Sequence, residues 1–569
     1  MNKMTLPDKR RVKHLTLLRQ PREISGKEFN ALSFDERLAM VQSLRGRQQY
    51  DLLIEAADMQ QLVQRMPMQE LYLLIRELGA EDVLELLALA TPEQINGFID
   101  LDCWQGDLLD PRQALHWLTL VAEAEEDQQL RVLTGIEFEL LTLMFKKWMR
   151  VTRGPEDFDD EDERDEAILL NGGFVIEYSD SEVAKLLERL LGVLFRRDPV
   201  FHRRLVESIR QELDAALEEE VFRWRNGRLL DQGFPEPFAA RGIYAWLDPE
   251  TFSPADARKT IPFGFEEDRA APGFVLAETL PKNLLAEVLA GGLSDETAWE
   301  LTCLLNKLLV ADGIDAGDVL QVDQALRRLY ATLNLALEKL CGQDVARAAE
   351  LFESSYLEIL FRFGFSLLLQ LQGRARTLLK SSLAPYFDAP CRALLENLAK
   401  PRPECWEGIL EVNRGGSRPF ECLTELQLAG DWLRRLEVQR RLFEEVFPFT
   451  LPEAENFDLT GCQPDELVQV SLSTFFLTAL GNQLLGGEFV PEPIPAVELV
   501  TLHGLAGRDG RVDPDLRKKT IAELERQLPG GGSFADWCLA VWDEEFCNLD
   551  ADSLDPRFVG GLIVLLDPS

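Results

Sequence analysis

Apolar residues recur at helical spacing in four consecutive copies over residues 59–102. The copies are separated by Pro67, by Gly79 and by the pair Thr91-Pro92, residue types that end one helix or start another. Each copy predicts a helix of roughly nine residues, which is too short to be stable without stacking on its neighbours. The pattern therefore predicts an α-helical superhelix. The apolar positions are Met59, Leu62, Val63, Met66; Leu71, Leu74, Ile75, Leu78; Val83, Leu86, Leu87, Ala90; and Ile95, Phe98, Ile99, where the fourth copy breaks at Asp102.

Helical periodicity continues through most of the remaining chain, with predicted helix starts at Ser294, Asp318 and Asp344. Three stretches predict long helices: about 127–150, from Asp198-Pro199 past Trp224 to an end before Gly227, and from Asp344 through Leu371. Seven prolines and several glycines interrupt every periodic run in residues 231–283, so that segment is predicted to be irregular. The fold class is mainly α: a short-helix superhelix at the N-terminus, followed by one or two larger helical domains with long irregular connections.

Changes in composition divide the chain into five predicted segments. Residues 1–30 form a basic tail, 31–150 the superhelix, and 151–170 an acidic linker. Residues 171–400 form a central helical domain with the irregular insert 231–283. Residues 401–569 form a mostly helical C-terminal region. Among these segments the insert 231–283 is a functional candidate, because irregular loops of that length are often functional.

The charge of the chain is unevenly distributed. Its formal net charge is −38, yet residues 1–22 carry seven basic residues against Asp8. An acidic body repels phosphate backbones, so DNA is not an expected partner. Within the basic tail, Lys9, Arg10, Arg11 and Lys13 are the candidate residues for partner binding, by contact with an acidic protein, RNA or an anionic surface. A solvated, frayed terminus is the interpretation we favour.

Cysteine spacing and hydropathy bear on localisation. The nine cysteines form no CxxC pair and no secretory signal precedes them, which indicates reduced thiols. No apolar run reaches the ~20 residues that a membrane-spanning helix needs. We expect a soluble cytoplasmic protein without an integral membrane segment.

Chemical motifs are sparse. No phosphate-binding loop, Rossmann fingerprint, HExxH or nucleophile elbow is present. Asp312, Asp315 and Asp318 form an acidic cluster around Gly313 and Gly317, the kind of loop from which several oxygens reach a hard cation. Helix boundaries explain the same residues, because Gly313 suits a position just beyond a helix and Asp318 suits an N-cap. We favour that explanation and predict no catalytic residue, cofactor or metal.

Two resemblances accompany these patterns. Leu71 to Asp82, with the junction Ala90 to Glu93, resembles the cytoplasmic N domain of MgtE-type magnesium transporters, a superhelix of short helices. Over its whole length the chain resembles an uncharacterised bacterial domain-of-unknown-function family of large acidic helical proteins. Residues 223–247 and 333–365 are the stretches that carry this second likeness. Neither resemblance implies a catalytic residue.

The functional expectation follows from the repeat, the acidic surface and the missing catalytic motifs. We expect a helical scaffold or regulatory adaptor whose N-terminal superhelix binds another protein, and not an enzyme. The alternative is an enzyme of unrecognised type, with its site between the 231–283 segment and the helices of 294–400. Asp312 and Asp315 would then be candidates for its chemistry.

Overall fold

The computed structural model describes residues 26–153, 174–261, 263, 271–277, 283–411, 414–551 and 554–566. These residues are mainly helical, which confirms the predicted fold class. They form two compact units, of which one ends at Phe363 and the other begins at Gly364. The division falls inside a helix that spans Leu357–Leu379. The finer, five-segment division stays a prediction.

The repeat folds into four short helices, as its periodicity predicts. Helices α1–α3 precede it, and the copies are α4, α5, α6 and α7, with a 3₁₀ turn at Ala80–Val83 before α6. Alternate copies pack on each other, α4 on α6 and α5 on α7. The bounds are α1 Gly26–Asn30, α2 Phe34–Gln42, α3 Gly46–Glu55, α4 Met59–Arg65, α5 Met68–Leu78, α6 Leu84–Leu89 and α7 Pro92–Asp102.

Helix α5 lies inside the first unit. Every residue from Met68 to Ile75 is buried, the pattern of a helix surrounded by protein. Two of these buried residues are polar and have partners far along the chain. The Gln69 amide donates to Asn306 Oδ1 at 2.8 Å, and the Gly273 N–H donates to the Glu70 carboxylate at 3.0 Å. The second repeat is therefore part of the core of this unit.

The helices after the repeat are shorter than their periodicity predicts. The predicted helix 127–150 is two helices, α9 and α10, and the helix predicted from Pro199 is also two, α12 and α13. Helix α13 continues through Gly227, and Trp224 is 55% exposed, so the predicted helix end and apolar face are wrong there. The bounds are β1 Trp104–Gln105, β2 Leu108–Leu109, α8 Pro111–Glu123, α9 Glu126–Gly135, α10 Phe138–Lys146, β3 Met149–Arg153, β4 Phe174–Tyr178, α11 Ser181–Arg197, α12 Pro199–Gln211 and α13 Asp214–Asp231.

The described residues of the 231–283 insert are irregular, as predicted, with only short helices and 3₁₀ turns. The later helices of the first unit begin at predicted N-caps: Ser294, Asp318 and Asp344 each accept a backbone N–H with their side chains. The bounds are α14 Pro237–Ala240, 3₁₀ turns Arg241–Tyr244 and Pro254–Ala257, α15 Gly273–Ala277, α16 Leu284–Ala290, α17 Asp295–Asp312, α18 Val319–Cys341, α19 Val345–Ser354 and α20 Leu357–Leu379.

The helix predicted from Asp344 through Leu371 is interrupted between α19 and α20. Residues 257–259 pair with the chain there: Lys259 N–H donates to Ser354 O and Tyr356 N–H donates to Ala257 O, both at 2.8 Å. The Glu300 carboxylate accepts the Leu357 N–H at 2.7 Å. These bonds replace helical ones, because a backbone N–H can serve only one such partner well.

The second unit combines helices with a small mixed sheet. Strand β11 lies between β7, to which it is antiparallel, and β8, to which it is parallel. Phe534 contacts both Phe443 and Phe476 in the core of this unit. The bounds are α21 Ala389–Ala399, β5 Cys405–Trp406, β6 Ser417–Arg418, α22 Leu423–Arg441, β7 Cys462–Gln463, α23 Leu472–Leu484, β8 Ile494–Pro495, α24 Leu499–Ala506, β9 Gly507–Arg508, β10 Arg511–Val512, α25 Pro514–Gln527, α26 Gly531–Glu545 and β11 Val564–Leu565.

Candidate binding groove

An open groove of about 800 Å³ lies along helix α12 in the first unit. Helix α10 contributes Phe138 and Glu139, and helix α13 contributes Leu217 and Glu220. The remaining lining residues recur with a spacing of four, so they form one continuous face of α12. They are Pro199, Val200, Arg203, Arg204, Glu207, Ser208, Gln211 and, just beyond the helix, Glu212.

The floor of the groove is apolar and fixed in place. Phe138 packs edge-on against Phe201, with ring centroids 5.7 Å apart. The Arg204 guanidinium lies over the Phe138 ring, 3.9 Å from its centroid. Leu217 is buried, whereas Val200 is 80% exposed. Pro199 and Val200 are thus exposed apolar residues at one end of a concave, polar-rimmed surface, the kind of surface at which ligands and partners bind.

Two lysines at the end of α10 hold the helices that flank the groove. Lys146 Nζ donates to Ile209 O at 2.7 Å and lies 3.2 Å from the Asp214 carboxylate. Lys147 Nζ pairs with the Glu218 carboxylate on α13. These contacts fix α12 and α13 relative to α10, so the walls of the groove belong to one packed arrangement.

The groove depends on the chain break between α9 and α10, which the fourth repeat helix produces. The Asn96 side-chain amide donates to Gly135 O at 3.0 Å, and its Oδ1 accepts the Glu137 N–H at 2.9 Å. The carboxamide thus replaces helical bonds at the junction and allows α10 to start in a new direction at Phe138. The apolar periodicity of residues 127–150 does not predict this break.

A buried charged cluster joins the repeat to α13. Asp100 on α7 is fully buried, and Arg228 donates to both of its carboxylate oxygens, at 2.7 and 2.9 Å. Arg228 also pairs with Glu137, and Arg225 donates to Asp100 O at 2.9 Å. Burial raises the pKa of Asp100, and the two hydrogen bonds from Arg228 act against that rise. The cluster is a structural support for α13.

The acidic cluster singled out in the sequence is divided among separate contacts. The Asp312 side chain is buried, accepts the Tyr244 hydroxyl at 2.6 Å and pairs with Arg328 at 2.8 Å. Asp315 accepts the Gly317 N–H, and Asp318 caps α18 by accepting the Gln321 N–H. Gly313 has φ +64°, the left-handed conformation of a residue that ends a helix. Among the described residues, no group of three or more His, Cys, Asp and Glu side chains is arranged to hold a metal ion.

The other sequence candidates lie elsewhere. Lys9, Arg10, Arg11 and Lys13 fall outside the described residues. His202, which is not one of these candidates, is on α12 but does not line the groove: it is buried edge-on against Phe195, and burial lowers its pKa. The groove residues themselves were missed, because an alternation of arginine and glutamate on one helix face is also typical of a solvated surface.

A polar cluster occurs where the insert meets the later helices, the position of the predicted alternative site. Lys259 Nζ lies 2.8 Å from the Glu300 carboxylate, and burial raises the pKa of Glu300 while Lys259 lowers it. The Glu353 carboxylate accepts the hydroxyls of Ser294 and Thr297, both at 2.6 Å. These groups bind one another across helices, as groups that hold a fold together do.

Comparison with known proteins gives a family without an assigned activity. Residues 26–565 match the family described as a family of unknown function, DUF6178. No curated protein and no solved structure matches the chain. The likeness of residues 59–102 to the MgtE N domain is therefore not shown by these comparisons. No helix within the described ranges is long and apolar enough to cross a membrane.

Proposed function

The chain belongs to DUF6178, a family of unknown function, and from its geometry we propose that it is an adaptor that binds a protein partner in the groove along α12. The observation that carries this proposal is the groove itself: about 800 Å³, concave, open, and lined by both apolar and charged side chains. The sequence-based expectation placed the binding surface on the superhelix of residues 31–150. Helix α10 of that segment supplies the groove floor, and α12 and α13 supply the rest.

The dimensions of the groove favour a helical segment as the occupant. Helix α12 has 13 residues, so the groove is about 20 Å long at 1.5 Å per residue. A helix of that length, taken as a cylinder about 10 Å across, has a volume of roughly 1,600 Å³. A helix that lies along such a groove buries one face and leaves the other in solvent, as amphipathic helices bound in grooves do.

The acidity of the chain supports a protein rather than a nucleic acid as the partner. A formal net charge of −38 opposes the approach of a phosphate backbone. A partner with basic side chains would be attracted by the same field, which speeds the encounter of oppositely charged surfaces.

Site-specific photo-crosslinking in the native host tests the proposal. A benzophenone amino acid replaces Val200 in one variant and Val468 in a control, since both valines are 80% exposed. We expect one defined segment of one protein to be crosslinked from position 200 and not from 468. The purified segment should bind the full chain, and Ser208→Trp, which fills the groove, should abolish that binding.

Two results would count against the adaptor. One is the same set of adducts from both positions, which indicates random collision. The other is undiminished binding of the purified segment to the Ser208→Trp variant, which places the contact elsewhere. An enzyme remains the second candidate, favoured by the buried Lys259–Glu300 pair beside the insert. A turnover that Lys259→Met abolishes while the fold is retained would support it.

A further inference from the structure

We infer that the groove along α12 selects a basic amphipathic helix of a partner protein, an inference that rests on the proposed function. Carboxylates outnumber guanidinium groups in the lining, with Glu139, Glu207, Glu212 and Glu220 against Arg203 and Arg204. The Arg204 guanidinium already stacks on the Phe138 ring. The surface that faces an incoming segment is therefore net acidic.

Three of these carboxylates lack an ion-pair partner in the described part of the chain. Within the part of the chain that the structure describes, no basic side chain forms an ion pair with Glu139, Glu212 or Glu220. Elsewhere in the same unit, acidic side chains near these helices are paired, as Glu218 is with Lys147 and Asp214 is with Lys146. Three unpaired carboxylates lining one groove favour an occupant that brings cations.

Glu212 lies at the junction of two helices. It is the C-cap residue of α12 and directly precedes Leu213, the N-cap residue of α13, so opposite ends of two helix dipoles meet there. Both residues are exposed, Leu213 by 75%. An occupant that places a basic side chain beside an apolar one would contact both.

The apolar side chains of the groove determine the other face of the occupant. Phe138 is partly exposed beside Arg204, Leu217 is buried, and Pro199 and Val200 are exposed at the N-terminal end of α12. A helix that packs on these side chains presents apolar residues at i, i+3, i+4 and i+7 on one side. The same helix must carry lysine or arginine on the side that meets Glu212 and Glu220.

Fluorescence anisotropy with designed peptides tests the charge preference on the full chain. The probe is a labelled helical peptide of about 14 residues, with leucine on one face and lysine on the other; a second peptide has glutamate in place of every lysine. We expect the lysine peptide to bind and the glutamate peptide not to bind. Glu212→Lys with Glu220→Lys should weaken the lysine peptide by about tenfold, the effect of about 0.5–1 kcal/mol for each charge pair.

A matched charge reversal controls for the acidity of the whole chain. Glu123 and Glu350 are exposed, lie on α8 and α19 outside the groove, and have no ion-pair partner among the described residues. Glu123→Lys with Glu350→Lys should leave the affinity for the lysine peptide within about twofold. Equal weakening by the two double variants would overturn the inference, because it would reflect net charge alone.

The remaining outcomes identify other occupants or separate the two proposals. If the probe binds only after Lys9, Arg10, Arg11 and Lys13 are changed to Gln, the chain's own basic segment is the occupant and a partner helix is not. A dimer that Glu212→Lys with Glu220→Lys dissociates would assign the groove to a second copy instead. Equal binding of both peptides, abolished by Ser208→Trp, refutes the charge preference and leaves the adaptor standing. Binding of either peptide that Ser208→Trp does not change refutes both proposals.

Discussion

Arg228 binds Asp100 through two parallel hydrogen bonds, Nε to Oδ2 at 2.7 Å and Nη2 to Oδ1 at 2.9 Å. The two residues are 128 positions apart and join the fourth repeat helix to α13. Asp100 has no exposed surface, whereas Arg228 also reaches Glu137. The pair therefore fixes one wall of the groove to the repeat.

Removing Arg228 should cost far more than removing both charges. Arg228→Met leaves the buried Asp100 carboxylate uncompensated, which costs about 3–5 kcal/mol of unfolding free energy. Asp100→Asn combined with Arg228→Met removes the charge and should recover a large part of that loss. Urea denaturation of the parent, the Asp100→Asn and Arg228→Met single variants and the double variant, read by circular dichroism, measures the four unfolding free energies. Additive losses in the double variant would show that the two side chains are not coupled.

Gly273 should tolerate no side chain. A β-carbon there would lie 2.1 Å from Gln42 O, a backbone atom that cannot move aside. We expect Gly273→Ala to destabilise the first unit by on the order of 1–3 kcal/mol, the usual range for overpacking. Gly227→Ala is the matched control, because a β-carbon at this helical position meets no described atom within 4 Å. Gly227→Ala should stabilise α13 by about 0.5–1 kcal/mol. In thermal melts we expect a lower melting temperature for Gly273→Ala and a higher one for Gly227→Ala than for the parent.

Glu70 should make the stability of the first unit depend on pH. Complete burial raises the pKa of Glu70 from 4.5 to about 7, against hydrogen bonds from Gly273, Gln42 and Gln49. A folded-state pKa above the unfolded value means that stability is fully present below pH 4.5. It falls as the pH rises to about 7, by about 3 kcal/mol.

Glu70→Gln isolates this contribution, because glutamine keeps the shape but carries no charge. Between pH 4.5 and pH 8 the unfolding free energy of the variant should fall by about 3 kcal/mol less than that of the parent. Denaturant titrations at several pH values measure both curves. Parallel curves for parent and variant would mean that Glu70 titrates normally or is neutral throughout.

Divalent cations should not stabilise the chain through Asp312, Asp315 and Asp318. Asp312 is already compensated by Arg328 and Tyr244, and a cation would have to displace both. We expect the melting temperature to stay unchanged when calcium, magnesium or manganese is added to millimolar concentration. A rise that Asp315→Asn removes would establish a cation site at this turn.

The sequence predicted those elements whose signals are local. The four repeat helices, the N-caps at Ser294, Asp318 and Asp344, and the helix end at Gly313 all follow from apolar spacing and capping chemistry within a few residues. These features need no distant partner, because a side chain that bonds its own helix end acts wherever the helix is placed.

Tertiary structure decided where the long helices break. Residues 127–150 and 344–371 are periodic throughout, yet Asn96 divides the first stretch at Gly135 and the 257–259 segment divides the second at Ser355. Each break depends on a donor or acceptor from a distant part of the chain, which periodicity cannot register.

The groove also arises from contacts between distant parts of the chain. Its residues resemble a solvated helix face in the sequence, and only the packing of α12 against α10 and α13 brings apolar floor and unpaired carboxylates together. By itself the sequence determined a helical chain of short stacked units, because helix formation is local; packing over long distances along the chain determined its candidate binding surface.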